Sequence, residues 1–113
     1  YMVTSNNNPD GDVVLCASSS YKEKYYFNQE FAGLPEPVKE ELKVMCVMYT
    51  AEIGGILTLQ FGSDGRLFLN VTSREDDFLF DEIGSVLKIK QIQSGKRELL
   101  EALELYYRIK FLK

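Results

Sequence analysis

The chain has 113 residues, 45% of them apolar and 27% charged, with a formal net charge of −4. These are the dimensions of one globular domain that needs no disulfide or metal to hold its core. The absence of histidine removes Ser-His nucleophile pairings. The acidic balance disfavours nucleic acid and anionic membranes as partners, and no apolar run approaches the ~20 residues that span a bilayer.

Residues 1–12 are polar and include Asn6-Asn7-Asn8-Pro9-Asp10-Gly11, a composition that resists helix and strand. We expect an irregular arm over 1–12, followed by a single α+β domain over 13–113. The arm has no signal-peptide core, so the expected location is the cytoplasm. Val13 to Ala17 and Lys24 to Asn28 are β-prone, and residues 18–23 join them as a first hairpin over about 13–28. Cys16 and Cys46 both lie in apolar runs and read as two reduced core thiols rather than a disulfide.

Phe31 to Pro35 reads as a linker. Pro35 and Pro37 suit the first turn of a helix over about 36–52, and Glu36, Glu40 and Glu41 favour the positive end of its dipole. Val38, Leu42, Met45 and Tyr49 make one stripe, and Val44, Cys46, Val47 and Met48 make the second half apolar nearly all round. That pattern predicts a central helix buried on every side. Gly54-Gly55 ends it.

Residues 55–73 alternate in a second hairpin. Leu57, Leu59 and Phe61, with Leu67, Leu69 and Val71, form one apolar face; Thr58, Gln60, Asn70 and Thr72 point the other way. Pairing Phe61 with Leu67 keeps both triplets on one face, whereas a one-residue slip would separate them. The loop is then Ser63-Asp64-Gly65, with Gly65 at the positive-φ bulge position.

From Asp76 the period becomes helical. Leu79, Ile83, Val86 and Leu87 fit one face, and Leu99, Leu100, Leu103, Tyr106, Tyr107 and Phe111 fit another. Residues 77–111 therefore form one or two C-terminal helices, with Ser94-Gly95 as the interruption. The alternation of Leu87-Lys88-Ile89-Lys90 leaves a short strand over 87–93 as the alternative.

Little of this carries chemistry. Asp77 and Asp81, four apart, are weak candidates for a divalent-metal pair, set against the simpler reading of an acidic helix start. Gly95-Lys96-Arg97 lacks the upstream glycine and the Ser or Thr of a phosphate loop. Tyr21, Tyr25, Tyr26 and Phe27 with Lys22 and Lys24 suit a tyrosine-rich strand better than a single-strand nucleic-acid platform. No catalytic residue, cofactor or nucleic-acid site is assigned, and no enzyme activity is expected.

Leu15-Cys16-Ala17 with Tyr21, Glu40-Glu41-Leu42-Lys43, Gly54-Gly55-Ile56, Asp81-Glu82-Ile83-Gly84-Ser85 and Tyr107-Arg108 resemble a small uncharacterised family of proteins from clostridial Gram-positive bacteria. The resemblance runs from about Val14 to the C-terminus. It implies an intracellular protein of unknown function and supplies no functional residues.

Three functions compete. The first is a non-enzymatic protein-interaction module that self-associates as a homodimer, with Tyr106, Tyr107, Phe111 and Phe68 as interface candidates. The second is an acidic chaperone or adaptor holding a partner segment. The third is a carboxylate-dependent metal enzyme using Asp77 and Asp81.

Overall fold

The computed structural model describes residues 3–4 and 12–112. Its elements are β1 (Val3–Thr4), β2 (Val13–Ser19), β3 (Lys24–Phe27), a 3₁₀ turn (Gln29–Phe31), α1 (Glu36–Ile53), β4 (Ile56–Phe61), β5 (Leu67–Thr72), α2 (Glu82–Gly95) and α3 (Arg97–Phe111). The sheet order is β1-β5-β4-β2-β3. Strands β2 to β5 are antiparallel, which makes the fold α+β as expected. β1 adds a two-residue parallel edge, with Val3 beside Leu69 and Thr4 beside Asn70. This corrects the irregular arm at those two positions; residues 1–2 and 5–11 lie outside the described residues.

The second hairpin has the derived register. Phe61 pairs with Leu67, the Gly65 N–H donates to Gly62 O at 3.0 Å, and Gly65 has φ +85°. All six apolar residues of its inner face are buried. β2 joins β4 with a bulge between Val14 and Cys16, which is why the consecutive Leu15 and Cys16 are both buried. Asn28 supports the bulge: its side-chain amide donates to Val14 O at 2.7 Å and its N–H to Leu15 O at 2.9 Å.

The three helices cover the apolar face of the sheet and join it in one core. Phe61 stacks on Tyr107 at 4.2 Å and 9°, and Phe31 lies 5.6 Å from Phe61 and 5.2 Å from Phe111. On the opposite face Gln60 and Asn70 point away from the helices yet are buried; the Gln60 amide donates to Asp12 Oδ2 at 2.7 Å.

Three expectations need correction. α1 is not buried on every side: Val44, Val47 and Met48 are exposed, because a single helical layer leaves its outer surface uncovered. The helix expected from residue 77 begins at Glu82, with residues 77–81 in turn and extended backbone. Residues 87–93 are helical, and the chain breaks between α2 and α3 at Lys96 alone, giving two helices rather than a strand or one kinked rod. Helix bonds nearly continue across the break, from Lys96 N–H to Ile92 O and from Leu100 N–H to Lys96 O.

Candidate interaction surface

The phase of α2 decides what the molecule shows to its surroundings. Turning 100° per residue, Ser85, Ile89 and Ile92 point into the core, and Ile83, Val86 and Leu87 point out. The apolar stripe expected to seat this segment on the core therefore faces away from it. Ile83 is 77% exposed and Leu87 63%.

Helix α1 lies antiparallel beside α2, and their seam is tied at three points. Glu41 bridges Lys96 at 2.9 Å, Glu52 bridges Lys88 at 3.6 Å, and the hydroxyls of Tyr49 and Ser85 meet at 2.6 Å. The outer surface of α1 carries Val44 and the 62%-exposed Met48, which face Lys88 and Gln91 across the seam. Between the two helices runs a groove of about 600 Å³ lined by Pro37, Val44, Met45, Met48, Gln91 and Ile92. Its rim carries Glu40 and Glu41 on one side and Lys88 and Lys96 on the other.

At the other end of α2 the chain projects. Phe78 and Leu79 are each 93% exposed. Their segment is pinned from behind. Asp77 accepts the Tyr21 hydroxyl at 2.6 Å and the Leu79 N–H at 3.1 Å, and the Arg74 N–H donates to the Tyr21 hydroxyl at 3.0 Å. The Arg74 guanidinium also lies 4.3 Å from the Tyr21 ring centre. Desolvation and the Asp77 carboxylate raise the Tyr21 pKa, so the phenol stays protonated and remains the donor. Phe80 turns inward against Gly55, where an added Cβ would lie 2.7 Å from the Phe80 ring and from Thr72 O.

A second locus lies between the first hairpin and α1. A cavity of about 790 Å³ is lined there by Ser18, Ser20, Lys24, Tyr25, Lys43 and Thr50, among others. Ser18 and Thr50 hydroxyls meet at 2.8 Å in its buried floor. Cys16 and Cys46 are buried free thiols with their sulfurs 3.9 Å apart. The hydrogen bond it shares with Cys16, and then burial, push the Cys46 thiol well above its ordinary pKa.

The carboxylates singled out from the sequence do not form a site. Because α2 begins at Glu82, Asp77 and Asp81 do not share a helix face: Asp77 holds the projecting turn, and Asp81 caps α2 by accepting the Gly84 N–H at 2.8 Å. Among the described residues no three His, Cys, Asp or Glu side chains gather as a metal site.

The four interface candidates are also separated. Tyr107 is 4% exposed and stacks in the core, so it has little surface to offer a partner. Tyr106 and Phe111 are half-buried around Phe31, and Phe68 is half-buried at the β4–β5 turn beside Gly62. The exposed apolar residues of α1 and α2, together with Phe78, were not identified from sequence. The available signal was the pair of opposed apolar stripes on α2, Ile83-Val86-Leu87 against Ile89-Ile92.

No curated protein and no solved structure matches this chain. A sequence family does: the family of unknown function DUF6145 matches residues 12–113, every element built above except β1, and the chain belongs to that family.

Proposed function

We propose that the protein is a non-enzymatic interaction module that self-associates, pairing with a second copy through the outer surface of α1 and α2. The observation that carries this reading is the apolar surface left exposed on both helices, Ile83, Val86 and Leu87 on α2 and Val44 and Met48 on α1. Large apolar side chains left exposed in such number on a small domain mark an interaction site.

A second copy fits because the surface complements itself. The Phe78-Leu79 projection stands at the N-terminal end of α2, and the groove opens toward its C-terminal end. A two-fold axis that sets α2 antiparallel to its copy carries each projection toward the other groove. The same operation carries exposed Glu75, Asp76 and Glu82 toward exposed Lys90 and Arg97 of the copy. The two free thiols suit a reducing, cytoplasmic location.

Light scattering at micromolar concentration tests the reading. The expected mass is twice the 13.0 kDa of one chain. A mass near one chain across the micromolar range would overturn it.

A further inference from the structure

Strand β2 and helix α1 run side by side and touch in two rungs. The first is the Ser18–Thr50 hydroxyl pair at 2.8 Å, and the second, one step deeper, is the Cys16–Cys46 sulfur pair at 3.9 Å. Two residues along a strand advance about 6.7 Å and four along a helix about 6 Å, so the two rungs stay in step. The upper rung floors the cavity of about 790 Å³. Tyr25 lines that cavity, and its buried hydroxyl has no hydrogen-bond partner. Burial, and then the Cys16 and Cys46 thiols beside it, push the Tyr25 pKa up. The dithiol is therefore separated from the cavity by one tyrosine side chain and one hydroxyl pair.

We propose that Cys16 and Cys46 form an oxidisable dithiol, which a small hydroperoxide entering beside Tyr25 converts into an intramolecular disulfide tying β2 to α1. Three features support this. A disulfide needs its sulfurs at about 2.05 Å, and these start in contact with no side chain between them. The chain has no third cysteine to compete. The covering strand β3 is a four-residue edge whose opening gives the oxidant its path.

The steps balance. The Cys16 sulfur attacks one peroxide oxygen, the O–O bond breaks, and the thiol proton passes to the leaving oxygen. The sulfur becomes a sulfenic acid, and the leaving oxygen departs, protonated, as water or an alcohol. The Cys46 sulfur then attacks the Cys16 sulfur. The S–S bond forms, the S–O bond breaks, and hydroxide leaves and takes the Cys46 proton as water. The two thiols are oxidised by two electrons in total, and the peroxide is reduced by two.

The experiment uses the whole reduced chain and hydrogen peroxide at a few equivalents, read by intact mass after alkylation in denaturant. The expected product is a single chain lighter by two hydrogens, with neither cysteine alkylated and full reversal by dithiothreitol. Its melting temperature should rise by roughly 5–15 °C, since the cross-link closes the long loop from residue 16 to residue 46. Sulfinic acid, chain-to-chain disulfides, or two alkylatable thiols after treatment would overturn the proposal. So would a product that forms only in denaturant. Tyr25→Ala, which removes the cover, should speed the reaction several-fold, and an unchanged rate would overturn the access route. If that variant fails to fold, Tyr25→Phe keeps the ring as cover and removes only the unpartnered hydroxyl. Its product must still be the intramolecular disulfide, and any other product overturns the proposal.

Discussion

The hydroxyls of Tyr49 and Ser85 lie 2.6 Å apart where α1 meets α2, both buried. Their bond fixes the rotation of α2: with Ser85 held inward, Ile83 and Leu87 are carried outward. Ser85→Ala leaves the Tyr49 hydroxyl buried without a partner and is expected to cost about 1–3 kcal/mol. Tyr49→Phe added to it should restore part of that loss, because both polar groups are then gone. Denaturant unfolding of the two singles and the double checks the coupling, and additive losses would mean that the hydroxyls do not interact.

Gly65 has φ +85°, and a Cβ there would lie 2.9 Å from Arg108 Cγ and 3.0 Å from Leu112 Cδ1. Gly65→Ala is expected to destabilise the domain by roughly 1 kcal/mol or more, from backbone strain and crowding of the end of α3. An unchanged melting temperature would contradict the turn geometry.

The outer apolar stripe and the core respond differently to charge. Leu87→Glu should leave the far-ultraviolet dichroism and melting temperature near those of the parent while halving the mass seen by light scattering. Tyr107→Glu, in the aromatic stack with Phe61, should unfold the chain. Persistence of the dimer in Leu87→Glu would place the contact elsewhere.

Asp81→Ala removes the α2 cap and is expected to cost about 0.5–2 kcal/mol, whereas Asp81→Asn keeps a capping oxygen and should cost less than about 1 kcal/mol. Asp77→Asn should stay within about 1 kcal/mol, since its one amide oxygen still accepts from Tyr21 and the exposed Leu79 N–H can turn to water. Melting temperature measured with Mg²⁺, Mn²⁺ or Ca²⁺ should not move. A saturable rise that these variants abolish would revive the metal-site reading.

Alkaline pH should unfold the protein earlier than its lysine and arginine content suggests. Burial raises Tyr25, Tyr49 and Tyr107 above their ordinary pKa of 10.0; at Tyr49 the Ser85 hydrogen bond opposes the rise. The folded state holds these protons more tightly than the unfolded state. The associated stability is complete below pH 10 and is lost as pH climbs through the raised folded values. Melting temperature should be flat to about pH 9 and then fall, with a shallower fall in Tyr25→Phe. An equal fall in that variant would assign the effect to other groups.

The hairpins were legible because alternation on both sides of a Gly-containing loop admits one register that keeps Leu57 to Val71 on a single face. The extent of α1 was legible from its prolines and from Gly54. The direction of α2 was not. Ile83, Val86 and Leu87 are as apolar as Ile89 and Ile92, so local periodicity offers two opposed faces, and the choice between them is made by tertiary contacts, among them the Tyr49–Ser85 bond and the packing of Ile89 and Ile92 in the core. The α2 start was misplaced because Asp76, Asp77, Asp81 and Glu82 all suit a helix N-terminus, while Tyr21, more than fifty residues away, engages Asp77 in a turn. Tyr107 shares a helical face with Leu100 and Leu103, but that periodicity did not separate it from Tyr106 and Phe111, since its stacking partners Phe31 and Phe61 come from distant segments. The β2 bulge hid the Cys16–Cys46 contact by breaking the alternation that would have placed Cys16.

Strand β3 forms one margin of the sheet with only four ladder positions, Cys16–Phe27 to Ser19–Lys24. Lys24 begins it, and immediately after Phe27 the chain leaves the sheet plane at Asn28, which caps the 3₁₀ turn. A foreign strand arriving at this margin finds a template of four residues that opens on a lysine, too brief to extend. At this margin copies of the protein are thus denied the edge-to-edge route by which open sheets grow into fibrils, and crowding should not extend the sheet from β3.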